Sequence, residues 1–349
     1  MTLPALKPSS ARDRLTFRQR LRLRRAELKS AAIDGFVHVF ARLRYAMPDA
    51  HPRRFDVTVT KNVVYGATNG RAHRLDVYMP SRAKTEGPLP VVMYVHGGGF
   101  SMLSKDTHYV MAMQFARRGY VVFNINYRMG QKNVFPAPLE DACEALVWVH
   151  QHCKEYGGDP SRIALAGESA GGNLVAALAI ANAVRRPEPF ARRVYDANIP
   201  IRATVCTYPF GDVTDLARYL EHPKLGFLLK GMLFDAASAY VGHGVYDLAA
   251  ISPLASPVLL LEHDLVTTRP LSPFFLSVGT RDPLLRHSRR MKQALDRLGV
   301  EAELFIAPGE IHGFDAMVWR PAARKKWKAA ATFLARHMAL EPTRLMSFA

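Results

Sequence analysis

A serine hydroxyl becomes a nucleophile when it stands clear of the chain and a neighbouring base takes its proton. Gly167-Glu168-Ser169-Ala170-Gly171 places a serine in that setting. The apolar run Ile163-Ala164-Leu165-Ala166 precedes it, and an Ala/Leu-rich helical pattern follows over about 171–184. A G-x-S-x-G turn between strand and helix holds its serine in strained geometry at the positive end of the helix. Three consecutive glycines in His96-Gly97-Gly98-Gly99-Phe100 follow a second apolar run, Val91–Val95. They free the backbone to aim N–H groups at a developing oxyanion, joined by the N–H of Ala170 after the nucleophile. Neither G-x-G-x-x-G nor a Walker pattern offers this loop a phosphate-binding role.

The serine also needs a base, and the base an orienting acid. Asp282, in Gly279-Thr280-Arg281-Asp282-Pro283, follows the apolar run 274–278. His312, in Ile311-His312-Gly313-Phe314, follows the strand pattern 301–306. Both positions fall at strand C-terminal ends, where the functional side chains of an open parallel sheet converge. His312 is singled out from 13 histidines by that position and by its place after Asp282. No metal site is expected. His150-Gln151-His152-Cys153 puts its histidines on different sides of a helix, and no second cluster has zinc spacing.

The elements that must hold these residues follow from the apolar pattern. Strands are expected at 57–59, 63–65, 75–78, 91–95, 120–125, 163–166, 203–207, 274–278 and 301–306. Helices are expected at about 110–118, 138–156, 171–184, 287–298 and 322–339, with 185–202 as a linker. Uninterrupted apolar strands alternating with helices mean a mostly parallel sheet covered on both faces. Residues 1–54 and about 210–270 do not fit the alternation, and in the second stretch 225–228 and 231–241 read as helical. Long excursions of this kind often act as lids.

The chain has 349 residues, 49% hydrophobic and 22% charged, which excludes disordered, collagen-like and coiled-coil classes. Its formal charge of +17 suggests nucleic acid until the distribution is read: residues 1–54 carry +9, residues 316–349 carry +6, and the 261 between them only +2. Without a zinc spacing, an RNP-like run or a basic zipper, no nucleic-acid partner is expected. Arg14, Arg18, Arg22, Arg25 and Lys29 would line one helical face. That face reads as solvated, with weak peripheral association with anionic membranes as the alternative. Cys143, Cys153 and Cys206 form no CxxC pair, so reduced, cytoplasmic chemistry is the expectation.

Taken together, HGGGF, GESAGG, Asp282-Pro283 and His312-Gly313-Phe314 resemble the hormone-sensitive-lipase-like branch of the α/β hydrolases, a group of serine carboxylesterases. Asn126-Tyr127-Arg128, the stretches 135–141 and 157–162, and Tyr208-Pro209 extend the likeness over roughly 75–340. The resemblance implies an α/β-hydrolase fold, a triad of Ser169, Asp282 and His312, and oxyanion donors at Gly98, Gly99 and Ala170. It also implies a catalytic domain over 55–340 with a cap from residues 1–54 and the insertion at about 210–270, followed by a tail at 341–349. Phe100, Leu225, Phe227, Leu228 and Met232 are expected to enclose a pocket for short to medium acyl chains, with no cofactor. A small-ligand receptor on the same fold and an acyltransferase with the same triad are the alternatives. Two departures from the family pattern stand out: Glu168 where Asp or Thr is common, and Met129–Val134 in place of a Leu-Ala-Pro-Glu-like continuation. Glu168 is expected to hydrogen-bond beneath the turn, with a catalytic role as the alternative.

Overall fold

The computed structural model describes residues 51–84, 87–214, 227–242, 251–263 and 265–339, with scattered positions between Leu28 and Ala41. In chain order the elements are β1 (Val57–Val64), β2 (Arg74–Pro80), β3 (Leu89–Val95), α1 (Tyr109–Ala116), β4 (Val121–Ile125), α2 (Ala137–His152), β5 (Gly158–Glu168), α3 (Ala170–Ala183), α4 (Pro189–Ala197), β6 (Ile201–Thr207), α5 (Phe227–Val241), α6 (Pro257–Glu262), β7 (Phe274–Gly279), α7 (Leu285–Arg297), β8 (Ala302–Ala307) and α8 (Pro321–Met338). The strands form one sheet in the order β1-β2-β4-β3-β5-β6-β7-β8. β1, β2 and β4 pair antiparallel, and from β4 to β8 every pairing is parallel.

Period-two alternation explains how β3 can be wholly apolar and wholly buried. Val91, Met93 and Val95 face the core shared with residues of α2, α3 and α4. Val92 and Tyr94 face the opposite core, shared with α1 and α8. Each fully buried side chain of this size contributes about 1.5–3 kcal/mol, so a polar substitution in β3 would damage one core or the other. α3 is apolar around nearly its whole circumference because the sheet lies on one side of it and α2, α4 and α6 on the others.

The structure departs from the sequence expectation in several places. Residues 57–64 form one strand, interrupted only by a register shift between Thr60 and Val63, where Asn62 adopts φ +60°. The expected linker at 185–202 contains α4, whose buried Phe190, Ala191 and Val194 are spaced for one helical face. The helix expected to reach 156 ends at His152 and continues as a 3-10 turn, Cys153–Tyr156, closed by Gly157 at φ +76°. The described parts of the helical stretches expected at 225–228 and 231–241 fall in one helix, α5, while Leu225 and the cations of the basic face at 14–29 lie outside the described residues. Among the described residues, no helix is long and apolar enough to cross a membrane.

The strand register brings the C-terminal ends level. Val95 pairs with Gly167, Glu168 with Thr207, Thr207 with Ser277, and Gly279 with Ala307. The loops carrying HGGGF, Ser169, Asp282 and His312 all leave this one edge.

Candidate active site

Ser169 sits between β5 and α3 at φ +51°, ψ −115°, a conformation that costs an ordinary residue about 1–3 kcal/mol. Neighbours on both sides hold it there: its N–H donates to Thr207 O (2.9 Å), and its carbonyl accepts from Phe210 N (3.0 Å) and Asn173 N (3.0 Å). The turn needs glycine two residues on. A Cβ at Gly171 would lie 2.0 Å from Val95 O, so any side chain would push the start of α3 off the end of β3.

The HGGGF loop is folded by similar constraints. Gly98 adopts φ +112°, and a Cβ there would lie 2.0 Å from Met102 O. Its carbonyl accepts from Ser101 N and Met102 N (both 3.1 Å), which closes a tight curl. Among the described residues, the N–H groups of Gly98, Gly99 and Ala170 donate to no acceptor. They remain available to a ligand oxygen at the positive end of α3.

His312 donates from Nδ1 to Asp282 Oδ2 at 2.9 Å, and Asp282 is buried, its Oδ1 accepting from Leu284 N at 2.8 Å. With Nδ1 so engaged, Nε2 carries the lone pair. The ring of His312 lies 4.4 Å from that of Tyr208, one residue past the Thr207 that holds the Ser169 amide. Ser169 and His312 make no hydrogen bond with each other, a contact that commonly tightens only with substrate. Burial works against charge on His312, but the adjacent Asp282 carboxylate and its hydrogen bond outweigh it and raise the imidazole above its ordinary value.

Glu168 lies beneath the turn. It is buried, with Oε1 accepting from Gly97 N (2.8 Å) and facing His108 Nε2 (2.6 Å), while Oε2 accepts from Tyr94 OH (2.7 Å). Burial alone would raise its carboxyl; the charge and hydrogen bond of His108, with those of Tyr94 and Gly97, pull it down to about 2. A second buried acid, Asp315, accepts from Tyr208 OH (2.5 Å) and Lys326 Nζ (2.7 Å) below the His312 ring. Sequence reasoning missed His108, Asp315 and Lys326, although a glutamate in a buried position required some partner. Tyr208 was visible only as part of Tyr208-Pro209.

Of the expected pocket residues, Phe100 and Met232 stand in different surroundings. Phe100, at φ +55°, is fully buried and stacks on Tyr240 at 3.8 Å. Met232 is 50% exposed on α5, which also carries Phe227 and Leu228. A cavity of about 380 Å³ instead opens beside the loop, lined by Ser101, Met129, Asn133, Asp235 and Ala239, with Asp34 from the N-terminal segment. Neither Phe100 nor Met232 lines it. The same Asp34 accepts from Leu103 N (2.6 Å), and His38 Nε2 lies 2.8 Å from Ser104 Oγ, so the N-terminal segment is bonded to the chain just past HGGGF. His73, Asp141 and Glu144 are close enough together to hold a cation, but Arg128 already occupies Asp141 from its main chain (2.7 Å) and its guanidinium (2.8 Å).

Known proteins give this geometry its context. A family model described as alpha/beta hydrolase fold matches residues 92–316. Carboxylesterase NlhH of Mycobacterium tuberculosis is 32% identical over 242 residues, 68% of this chain and 70% of that protein. An esterase of Gibberella moniliformis is 30% identical over 236 residues, 67% of this chain and 70% of that protein. Among solved structures, the hyperthermophilic esterase of the archaeon Pyrobaculum calidifontis superposes with a TM-score of 0.69 at 26% identity, covering 94% of this chain and 99% of that one.

Proposed function

Because this chain belongs to the hormone-sensitive-lipase-like branch of the α/β hydrolases and is a serine ester hydrolase, we propose that Ser169, His312 and Asp282 carry the reaction, with the N–H groups of Gly98, Gly99 and Ala170 as the oxyanion hole. The observation that carries this assignment is the His312–Asp282 pair, which leaves Nε2 as a free base on the sheet edge where the strained Ser169 stands. In the proposed mechanism Nε2 of His312 takes the Ser169 proton as Oγ attacks the ester carbonyl. The negative charge that develops on the carbonyl oxygen is met by the three N–H groups. The alcohol leaves with the proton held by His312 as the C–O bond breaks, giving acyl-Ser169. Water, deprotonated by His312, attacks the acyl carbonyl; the bond to Oγ breaks, the carboxylic acid leaves, and His312 returns the proton to Ser169 Oγ.

For the substrate, we infer esters of short to medium acyl chain. What supports this is the crowding beside HGGGF: Asp34 of the N-terminal segment and Asp235 and Ala239 of α5 close over Ser101 around a cavity of about 380 Å³, which Ser169 and His312 do not line. We further infer that the N-terminal segment and the insertion at about 210–270 act as a cap, supported by the bonds of Asp34 and His38 to the loop past HGGGF. Weak attachment to anionic membranes through the basic face at 14–29 is the remaining inference, with an upper bound of about 5 kcal/mol for five cations before salt screening.

A homologous series of p-nitrophenyl esters, with Ser169→Ala as the blank, tests the substrate reading: kcat/KM should peak at short to medium chains. Activity that jumps at an oil–water interface and peaks on long-chain emulsions would contradict it. Deleting residues 1–30 tests the N-terminal role, and a cap predicts altered turnover of soluble esters together with weaker binding to phosphatidylglycerol vesicles at low salt. Unchanged turnover would leave only a surface role for that segment.

A further inference from the structure

We propose that His108 is a positioning residue for ester hydrolysis: as an imidazolium paired with Glu168, it fixes the carboxylate oxygen from which the oxyanion loop hangs, and the loop holds its catalytic shape only while that charge is present. The inference rests on the assignment of the HGGGF loop as the oxyanion hole.

The surroundings of His108 suit a cation. Nε2 faces a carboxylate oxygen of Glu168 at 2.6 Å, while Nδ1 faces the carbonyl of Ser104 at 3.1 Å. The hydroxyl of Thr107 lies 2.9 Å from Nδ1 and 2.8 Å from that same carbonyl, to which it donates. Both ring nitrogens thus face oxygen atoms that can accept, an arrangement the protonated ring satisfies with two donors. Desolvation opposes the charge, and the Glu168 carboxylate with its hydrogen bond outweighs it, raising His108 above its ordinary value.

The connection to the loop is a single atom. Oε1 of Glu168 accepts from His108 and from the main-chain N–H of Gly97, the residue before the two proposed donor glycines. Loop and carboxylate are in close contact, since a Cβ at Gly97 would lie 2.8 Å from Oε1. Glu168 also immediately precedes Ser169, so the same carboxylate borders both the nucleophile and the oxyanion donors. When His108 loses its proton, Glu168 becomes a buried anion without a counter-ion, and the contact that orients Gly97 is set free to rearrange.

The other groups facing His108 fit this assignment. His96, with its ring 5.5 Å away, is pushed down to about 3 by burial and by the charge on His108, so it stays neutral. Tyr94, on β3, has its ring 6.5 Å away and donates to Glu168. Asp315, farther off, adds a field that favours the cation. Arg71 acts on the His96 side and opposes a second positive charge there.

The test is the pH dependence of kcat and KM on a soluble short-chain ester for wild type, His108→Gln and Ser169→Ala, with far-UV circular dichroism recorded across the same range. The pair is intact below the raised pKa of His108 and is lost as pH rises through it. Wild-type kcat should therefore fall on the alkaline side with KM and the dichroism unchanged. His108→Gln should lower neutral-pH kcat by about 10–100-fold, less than loss of a donor itself, and should abolish the alkaline limb while keeping the acid limb of His312. A wild-type profile that stays flat at alkaline pH, an alkaline loss that coincides with loss of dichroism, or an alkaline limb that persists at the same midpoint in His108→Gln would overturn the proposal. If His108→Gln does not fold, the wild-type profile with its dichroism decides the matter. Failure of the underlying triad assignment looks different: Ser169→Ala would then retain turnover at every pH.

Discussion

Of the histidine–carboxylate pairs among the described residues, two bear on the loops that carry HGGGF, Ser169 and His312: His312 with Asp282 and His108 with Glu168. In both, a buried acid holds one ring nitrogen at hydrogen-bond distance, and in both the imidazole is raised by its acid. They differ in what the second nitrogen does. The His312 side chain is 36% exposed and its Nε2 has no partner among the described residues, whereas His108 is 11% exposed and its Nδ1 is held by Ser104 and Thr107. A base must have a nitrogen free to take a proton; an anchor must have none. Sequence cannot separate the two roles, because the difference lies in the surroundings of the second nitrogen and not in the residue types.

The largest effect expected from breaking this contrast lies on the base side. Asp282→Asn should lower kcat/KM on the order of 10³-fold or more, since triad members act as a unit. Steady-state kinetics on a soluble ester checks this, and a fall below tenfold would argue against the pairing. In the wild type, His312 must be neutral to act, so kcat/KM should rise with pH through an acid limb displaced above about 6.5. A limb at or below that value would remove Asp282 as the stabiliser of the imidazolium.

Asp315 extends the comparison to a buried acid held by lysine. Its partner Lys326 is almost fully buried and also lies 3.7 Å over the Trp327 ring. Lys326→Met leaves a buried carboxylate without its counter-ion and should cost about 3–5 kcal/mol in stability, read from urea unfolding. A change below about 1 kcal/mol would mean that the site relaxes to readmit water.

The loop side carries a somewhat smaller expected effect. Gly98→Pro deletes one N–H and imposes a negative φ where the structure has +112°, so kcat should fall by about 10²-fold or more, with dichroism confirming that the fold persists. Retained turnover would place the oxyanion donors elsewhere.

How much of this was legible in the sequence depends on the range of the interaction. The sheet was readable because buried parallel strands such as Val91–Val95 are apolar without interruption, and the HGGGF and GESAGG turns were readable because their glycines answer to local clashes. α4 was missed because its short apolar stripe is set among Arg192, Arg193 and Asp196. Glu168 could be expected to bond beneath the turn, but its partner lies 60 positions earlier in the chain, where nothing local distinguishes His108 from the other histidines. Phe100 was expected among the residues of a cap enclosing the pocket; its stacking on Tyr240, 140 positions later in the chain, leaves no mark in the local sequence.

The account depends first on Ser169 being the attacking residue. Labelling the folded protein with a serine-directed organophosphate and mapping the adduct by peptide mass spectrometry tests that directly. A single stoichiometric adduct on Ser169, appearing in step with loss of esterase activity, is the predicted result. Full inactivation with Ser169 unmodified, or with the adduct on another serine, would contradict it.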